Sequence, residues 1–290
     1  MIQSSFGARS TASEVVACHD LSEKKILITG ASSGIGYEAG RALLSAHAEV
    51  IIAARDHVKG EQAVKALQTA YPESQVHFLP LDLGLLASVR QTGEHFFAQW
   101  NKLDVLINNA AIAATPLGYT PDGFEQQFAT NFLGHFLLAQ LLLPALRNAA
   151  PVRVVSLTSG THHLSDIHFD DIQYQHRPYD KWEAYAQSKT ADALLAVSLT
   201  RHFGEQGITA NAVNPGGVLT GLQQHLTPEE RRARYYDEAG TLLPSFKTPE
   251  QGASTTVWAC VAPELEGIGG LYLEDCHQAV PYNPEISTVA

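Results

Sequence analysis

Short apolar runs alternate with longer amphipathic stretches along most of the chain. Runs such as Val50–Ala54 and Val105–Asn108 are apolar on both faces, which is typical of strands buried in a parallel sheet. We predict strands at Ile26–Thr29, Val50–Ala54, Gln75–Leu81, Val105–Asn108, Arg153–Thr158, Thr209–Val213 and Gly270–Leu273. We predict helices, from apolar residues at helical spacing, at Gly36–Ser45, Val58–Tyr71, Leu86–Trp100, Gly123–Leu146, Trp182–Phe203, Pro228–Ala239 and Pro249–Val261.

This alternation predicts an α/β fold with a doubly wound parallel sheet and helices on both faces. The chain has 290 residues, 45% of them hydrophobic, and no evident linker. That length is enough for one large domain. We predict a single domain over residues 21–290 with a substrate lid at about 219–247. Residues 1–20 are weakly patterned and are predicted to be an extension, either mobile or lying on the surface.

Charge and cysteine content narrow the range of functions. The formal net charge of -11 opposes binding to a phosphate backbone, so we expect no nucleic-acid partner. Cys18, Cys260 and Cys276 form neither a metal-ligand spacing nor a disulfide framework, which suits a reducing compartment. No uninterrupted apolar run is long enough to span a membrane, and residues 1–20 contain no secretory h-region. We therefore predict a cytoplasmic protein.

The first predicted strand leads into a glycine-rich turn followed by a helix. Gly30 allows a sharp turn, Gly34 allows backbone to approach a pyrophosphate, and Gly36 allows the helix to pack close to the sheet. The helix N-terminus offers unpaired N–H groups and a partial positive charge to an anion. These residues alone also fit a plain strand–helix turn.

The segment Thr29–Gly36, T-G-A-S-S-G-I-G, resembles the cofactor loop of the short-chain dehydrogenase/reductase family, and the resemblance extends over roughly residues 22–280. It implies a Rossmann-type domain that binds a nicotinamide dinucleotide beyond the carboxyl ends of the strands. The implied cofactor contacts, besides Arg55 and the catalytic pair discussed below, are Gly30, Ser32, Ser33, Gly34, Ile35, Gly36, Asp82, Leu83, Asn109, Ala110, Ala111, Pro215, Gly216, Val218 and Thr220.

Three of these positions have specific expectations. Ala111 stands where the family has glycine, so the turn there is expected to differ slightly. Asp82 resembles an adenine-contacting acid, but a helix N-cap is a competing role. Thr220 is expected to bond the carboxamide of the nicotinamide.

The residue after the second strand bears on the choice of cofactor. An acid there accepts from the ribose 2′-hydroxyl and repels a 2′-phosphate. This chain has Arg55 instead, which can pair with a 2′-phosphate or stack on adenine, and Lys59 follows on the next helix. We predict NADP(H) over NAD(H). The competing interpretation is a solvated arginine at a strand end.

Tyr185 and Lys189 form a Y-x-x-x-K pattern, which places both side chains on one face of a helix. A nearby ammonium favours the phenolate and lowers a phenol pKa that is otherwise near 10. The pattern by itself is also compatible with an exposed helical face. Ser159 ends a central strand, where its hydroxyl can donate to a substrate oxygen; Ser156 competes for that role. Asn131 lies in an apolar helix and needs partners there, either as a satisfied core amide or as a functional group.

Asn131, Ser159, Tyr185 and Lys189 match the catalytic set of the family in order and context. The resemblance implies that Ser159 polarises the carbonyl and Tyr185 exchanges a proton with its oxygen. It implies that Lys189 lowers the pKa of Tyr185 and holds the nicotinamide ribose, while Asn131 supports a proton relay. The expected reaction is hydride transfer between a carbonyl and an alcohol.

The segment between Ser159 and Tyr185 resembles the retinol dehydrogenase and protochlorophyllide reductase-like branch of the family. An amphipathic lid predicts a hydrophobic substrate. Reduction of a C=C bond and a non-catalytic NADP-sensing module are the alternatives. His162, His163 and His168 lack metal-ligand spacing, so we predict no metal site. The resemblance also implies a homo-oligomer, a dimer or tetramer, formed through the helices Phe124–Leu146 and Trp182–Phe203.

Overall fold

The computed structural model describes residues 1–281 and contains one eight-stranded sheet in the order β3-β2-β1-β4-β5-β6-β7-β8. The first seven strands are parallel, and only β8 is antiparallel to its neighbour. The strands are β1 Lys25–Thr29, β2 Glu49–Ala54, β3 Val76–Pro80, β4 Val105–Asn108, β5 Val152–Leu157, β6 Ile208–Asn214, β7 Tyr272–Glu274 and β8 His277–Gln278. The predicted fold class is confirmed.

Helices cover both faces of the sheet, which buries the apolar strands on both sides. The α-helices are α1 Ala12–Val16, α2 Gly34–Ser45, α3 His57–Ala70, α4 Leu86–Phe97, α5 Gln126–Phe128, α6 Gly134–Ala149, α7 Lys181–Phe203, α8 Pro228–Tyr235, α9 Pro249–Gly252 and α10 Ser254–Val261. Leu43 and Trp258 belong to the core on one face. Phe96, Leu142 and Leu199 belong to the core on the other. The chain is thus doubly wound, and the loops after the parallel strands meet at one edge.

The predicted helix Gly123–Leu146 differs from the structure. Regular helix begins at Gln126, a π-helical turn spans Ala129–Leu133, and α6 then continues to Ala149. A π turn inserts an extra residue into the helical repeat and often marks a functional site. Apolar spacing does not reveal it, because the sequence on either side remains compatible with helix.

The C-terminal elements also differ from the prediction. The helix predicted at Pro249–Val261 is divided at Ala253 into α9 and α10. A hairpin joins β7 to β8 through Asp275 and Cys276, whose φ angles are 49° and 60°. Such turns usually carry Asn or Gly, so the sequence contained no hairpin signal there. The lid helix α8 ends at Tyr235, four residues before the predicted Ala239.

The N-terminal extension is packed against the domain. α1 buries Ala12, Val15 and Val16 in the core shared with α2 and α10. The backbone N–H of Gln278 donates to the carbonyl of Ile2 at 2.9 Å. The mobile alternative for residues 1–20 is therefore wrong, because the short apolar face of α1 is buried. Residues 282–290 of the predicted domain lie outside the described residues.

One helical stretch of the described chain, Gln126–Ala149, is long and apolar enough to pass a membrane-span test based on length and composition. More than half of its most apolar window is buried inside the fold. A core helix of a doubly wound sheet has this character, so the stretch is weak evidence for a membrane span.

Candidate active site

The glycine loop after β1 is built around two left-handed residues. Gly30 and Gly34 have φ angles of +66° and +60°, a region that side chains disfavour. A Cβ on Gly30 would lie 2.8 Å from Cα of Ala110, so this loop touches the loop after β4. A Cβ on Gly36 would lie 2.5 Å from Nδ2 of Asn109. Gly36 thus makes room for Asn109, a contact that differs from the predicted helix–sheet approach.

The start of α2 fits the phosphates of a dinucleotide. Ser33 is the N-cap of this twelve-residue helix, and its side chain forms no capping hydrogen bond. The first-turn N–H groups of a helix carry a partial positive charge and suit an anion. Ser32 and Ile35 are half-buried beside them, and a Cβ on Gly34 would lie 3.3 Å from the Thr220 side chain. The loop after β6 therefore closes over the glycine loop.

Thr29 and His135 hold the two loops together. The Thr29 hydroxyl oxygen accepts from the backbone N–H groups of Asn109 at 2.9 Å and Ala110 at 3.0 Å. Nδ1 of His135 lies 2.6 Å from the carbonyl oxygen of Asn131, which can only accept, so Nδ1 carries the proton. Nε2 then accepts from the Thr29 hydroxyl at 2.8 Å.

His135 is a functional candidate that the sequence analysis missed. It is completely buried on α6, and burial lowers its pKa to about 3 against the opposing effect of its bond to Asn131. It is therefore neutral and connects the Asn131 backbone to the glycine loop. The available signal was a histidine on an apolar helix, four residues after Asn131.

The remaining predicted cofactor contacts line the same edge. Asp82 Oδ1 accepts from the backbone N–H of Gly84 at 3.0 Å, and the N-cap of α4 is Leu85, so the N-cap alternative for Asp82 is wrong. Leu83 is buried against Gly134. Ala111 has an ordinary negative φ, whereas Ala114 adopts the left-handed region at 52°. An adenine contact by Asp82 stays a prediction.

Arg55 lies exposed at the carboxyl end of β2. Its acidic neighbour Asp56 caps α3 by accepting from the backbone N–H of Lys59 at 3.0 Å. The Lys59 ammonium lies 3.6 Å from the same carboxylate. Within residues 1–281, Arg55 makes no ion pair, so its guanidinium is available to a ligand.

Tyr185 and Lys189 lie on one face of α7 and are both buried. Nζ of Lys189 is 5.8 Å from the centroid of the Tyr185 ring. The Ser159 side chain lies near the phenol and lowers the pKa of Tyr185, while its hydroxyl donates to Thr161 Oγ1 at 3.0 Å. Ser156 lies inside the sheet and accepts from Asn108 Nδ2 at 3.3 Å. The structure thus brings Ser159, rather than Ser156, to the pair.

The electrostatics of this group differ from the simple expectation. Burial raises the pKa of Tyr185, and the Lys189 ammonium and Ser159 oppose that rise without cancelling it. Lys189 Nζ also donates to Asp192 Oδ2 at 2.8 Å and to the Leu157 carbonyl at 2.9 Å. Asp192 was not singled out in the sequence, because an aspartate three residues after the lysine is expected on the surface.

Asn131 lies in the π turn and is fully satisfied by protein. Its Oδ1 accepts from the backbone N–H of Ile112 at 2.9 Å, and its Nδ2 donates to the Ile112 carbonyl at 3.0 Å and to Ser188 Oγ at 2.9 Å. The side chain therefore braces the loop after β4 against α7, next to the catalytic pair. Asn131 makes these contacts from within the π turn Ala129–Leu133, which carries the extra residue of the helical repeat.

The segment predicted as a lid covers this edge. Lys181 on α7 forms an ion pair with Glu230 on α8, and the Arg234 guanidinium stacks over the Trp182 ring at 3.9 Å. An apolar cluster joins the lid to the rest of the domain and includes four aromatic side chains. Its members are Ala114, Leu226 and Tyr235, with Trp182, Leu219, Tyr236 and Phe246 packed against them.

The loop after β6 and the inserted segment complete the surroundings. Val218 is buried and pairs with Lys247, while Pro215 is half-buried and Gly216 is exposed. His162 stacks on His163 at 3.9 Å, and His168 lies 3.1 Å from Glu183. In the part of the chain that is described, no group of three or more His, Cys, Asp or Glu side chains is arranged to hold a metal ion.

A doubly wound sheet with a glycine loop after β1 and a buried Tyr–Lys pair at the same edge defines a Rossmann-type oxidoreductase. The chain matches the family model described as short chain dehydrogenase over residues 24–231, and it belongs to that family. This membership confirms the predicted family.

Individual relatives agree with this assignment. A probable oxidoreductase of Streptomyces antibioticus is 44% identical over 265 residues, which are 90% of this chain and 87% of that protein. Retinol dehydrogenase 12 of Mus musculus is 41% identical over 253 residues, 87% of this chain and 78% of that protein. The Pseudomonas aeruginosa RhlG/NADP active-site complex has a TM-score of 0.66 at 26% identity, over 88% of this chain and 95% of that chain. The similarity to a retinol dehydrogenase is consistent with the predicted branch.

Proposed function

We propose that this protein is an NADP(H)-dependent oxidoreductase that interconverts a ketone or aldehyde and an alcohol, with Tyr185 as the general acid or base. The observation that carries the proposal is the buried pair of Tyr185 and Lys189, with the half-buried Ser159 near the phenol, at the sheet edge that carries the glycine loop. When bound, the dinucleotide supplies or accepts the hydride. The protein then has to orient the carbonyl, exclude water and move one proton.

Each residue of the group has a distinct part in the proposed reaction. The Ser159 hydroxyl positions the substrate oxygen. In reduction the Tyr185 phenol gives its proton to that oxygen and becomes a phenolate, which the Lys189 ammonium stabilises. In oxidation the phenolate takes the proton from the alcohol. Asn131 supports this exchange by fixing the loop after β4 against α7.

Replacing Tyr185 tests the mechanism. In Tyr185→Phe we expect NADPH consumption with a panel of ketones and aldehydes to fall by a factor of roughly 10² to 10⁴, the usual contribution of a general acid, while NADPH still binds. Tyr71→Phe at the end of α3 is the matched control and should keep its activity. Full activity in Tyr185→Phe refutes the mechanism. Product analysis separates an alcohol from a reduced C=C bond, and NADPH binding without turnover across the panel would favour a sensor.

The preference for NADP(H) rests on Arg55. Its side chain is exposed at the end of β2, while Asp56 is committed to capping α3. A 2′-phosphate there would meet an arginine without a competing ion pair. In Arg55→Asp we expect the ratio of kcat/KM for NADPH over NADH to fall at least about tenfold. Lys65→Asp, on an exposed position of α3, makes the same charge change and should leave the ratio unchanged. An unmoved ratio in Arg55→Asp overturns the assignment.

The aromatic cluster that the lid forms with Ala114 and Trp182 supports a hydrophobic substrate. Bulky aromatic and long-chain carbonyl compounds should therefore have lower KM values than short polar ones.

A homo-oligomer is proposed through α6 and α7, which expose the large apolar side chains of Phe136, Leu194 and Val197. Sedimentation of the purified protein as a monomer would contradict that part of the proposal. The cytoplasmic location stays a prediction.

A further inference from the structure

Lys189 shares its buried environment with a second charged side chain. Lys189 and Asp192 lie three residues apart on α7, their side chains are 2% and 4% exposed, and Nζ contacts Oδ2 at 2.8 Å. Because removing two charges from water is costly, a buried pair placed next to a reacting phenol calls for an explanation. The Tyr–Lys pair alone does not require an aspartate at this position.

The pair changes what Lys189 offers to its neighbours. An ammonium has three N–H donors. One of them goes to Asp192 and one to the Leu157 carbonyl, which leaves one for a ribose or the phenol. The carboxylate also offsets the positive charge that Lys189 brings near Tyr185, and it acts on the phenol in the opposite direction to the ammonium.

We propose that Asp192 is a positioning residue that fixes the Lys189 ammonium and offsets its charge, so that the Tyr185 phenol stays protonated in the resting site. This inference rests on the proposed function, because it concerns the protonation state of the same tyrosine. A lone lysine would favour the phenolate, which is the form needed to take a proton from an alcohol. With Asp192 beside it, Lys189 favours the phenolate less strongly, and burial keeps the phenol protonated.

The other titratable groups around Tyr185 do not replace Asp192. Arg234 on the lid helix α8 favours the phenolate, as Lys189 does. The phenols of Tyr235 on α8 and Tyr272 on β7 are neutral, since burial raises the pKa of each above its ordinary value. His135 on α6 faces Lys189 and is also neutral. Asp192 is therefore the anionic group that these elements bring closest to the Tyr–Lys pair through a direct contact with Lys189.

Spectroscopic titration of the phenol tests this without any substrate. Phenolate absorbance of the parent minus that of Tyr185→Phe isolates Tyr185 from the other tyrosines, and circular dichroism marks the folded pH range. In Asp192→Asn we expect the Tyr185 midpoint to fall by about one pH unit or more, since a neighbouring charge shifts a pKa by about 1–3 units. Asp192→Glu keeps the charge and should restore most of the parent value.

A matched control separates this local effect from a change in net charge. Asp104→Asn removes a carboxylate that pairs with Lys24 at the amino end of the sheet, and it should not move the Tyr185 midpoint. In alcohol oxidation, the pH at which kcat/KM reaches half its plateau should fall in Asp192→Asn by about the same one unit, because the phenolate is the form that takes the proton. A midpoint that stays in place or rises in Asp192→Asn overturns the inference.

These experiments distinguish a failure of the inference about Asp192 from a failure of the proposed function. A lowered midpoint with no turnover on any carbonyl leaves the role of Asp192 standing and removes the proposed reaction. If Asp192→Asn does not fold, the Tyr185 titration midpoint of Asp192→Ser is compared with that of the parent instead. A parent Tyr185 that titrates below about pH 8, two units under the ordinary phenol, shows that Asp192 does not hold the phenol protonated.

Discussion

The buried His135 predicts a specific loss of stability in acid. Its pKa is about 3 in the folded protein because burial disfavours the charged ring, whereas an unfolded histidine titrates near 6.5. The folded-state pKa is the lower of the two. The stabilising contribution is therefore complete above about pH 6.5 and is lost as the pH falls toward 3.

The size of the effect follows from the two pKa values. Between pH 7.5 and pH 5 the unfolded state gains almost one proton on this ring and the folded state gains almost none. With about 1.4 kcal/mol for each pH unit below 6.5, the free energy of unfolding should fall by about 2 kcal/mol from this residue. Other groups add their own pH dependence, so a variant is needed to isolate it.

Urea unfolding of the parent and of His135→Gln at both pH values provides the assay. The variant should be less stable at pH 7.5 by about 1–3 kcal/mol, because the bonds to Thr29 and to the Asn131 carbonyl are disturbed. Its further loss on going to pH 5 should be about 2 kcal/mol smaller than that of the parent. Equal losses in parent and variant would show that His135 is not held neutral in the fold.

Two further predictions concern the loops around the site. Gly36→Ala places a Cβ 2.5 Å from Asn109 Nδ2 and should weaken NADPH binding at least about tenfold in a fluorescence titration, whereas Gly40→Ala on the same helix meets its nearest atom at 3.5 Å and should bind normally. Equal affinities would refute a tight fit at this loop. Arg9 donates to the carbonyls of Pro244 and Phe246 at the end of the lid, so Arg9→Ala should speed limited proteolysis of residues 219–247 a few-fold, consistent with about 1 kcal/mol for such bonds. Arg90→Ala, on α4, is the control, and the idea fails if both variants are cleaved at the parent rate.

Several parts of the site could be anticipated because they depend on local sequence. The glycine loop needs left-handed backbone at Gly30 and Gly34, and the four-residue spacing of Tyr185 and Lys189 fixes a shared helical face. Strands that are buried on both faces consist of continuous apolar runs, and such runs are visible in the sequence. These features are enough to predict the fold class and the family.

Other parts depend on residues that are distant in sequence. The sequence predicts that Asp192 lies on a helix. Only the packing of α7 against β5 buries Asp192 together with Lys189, so that the two form an ion pair near the Tyr185 phenol. The π turn at Asn131 and the histidine bond to Thr29 likewise arise where α6, β1 and β4 meet. Periodicity records which face of an element is apolar. Burial, charge pairing and proton positions follow from what that face contacts, and this was decided by the tertiary structure.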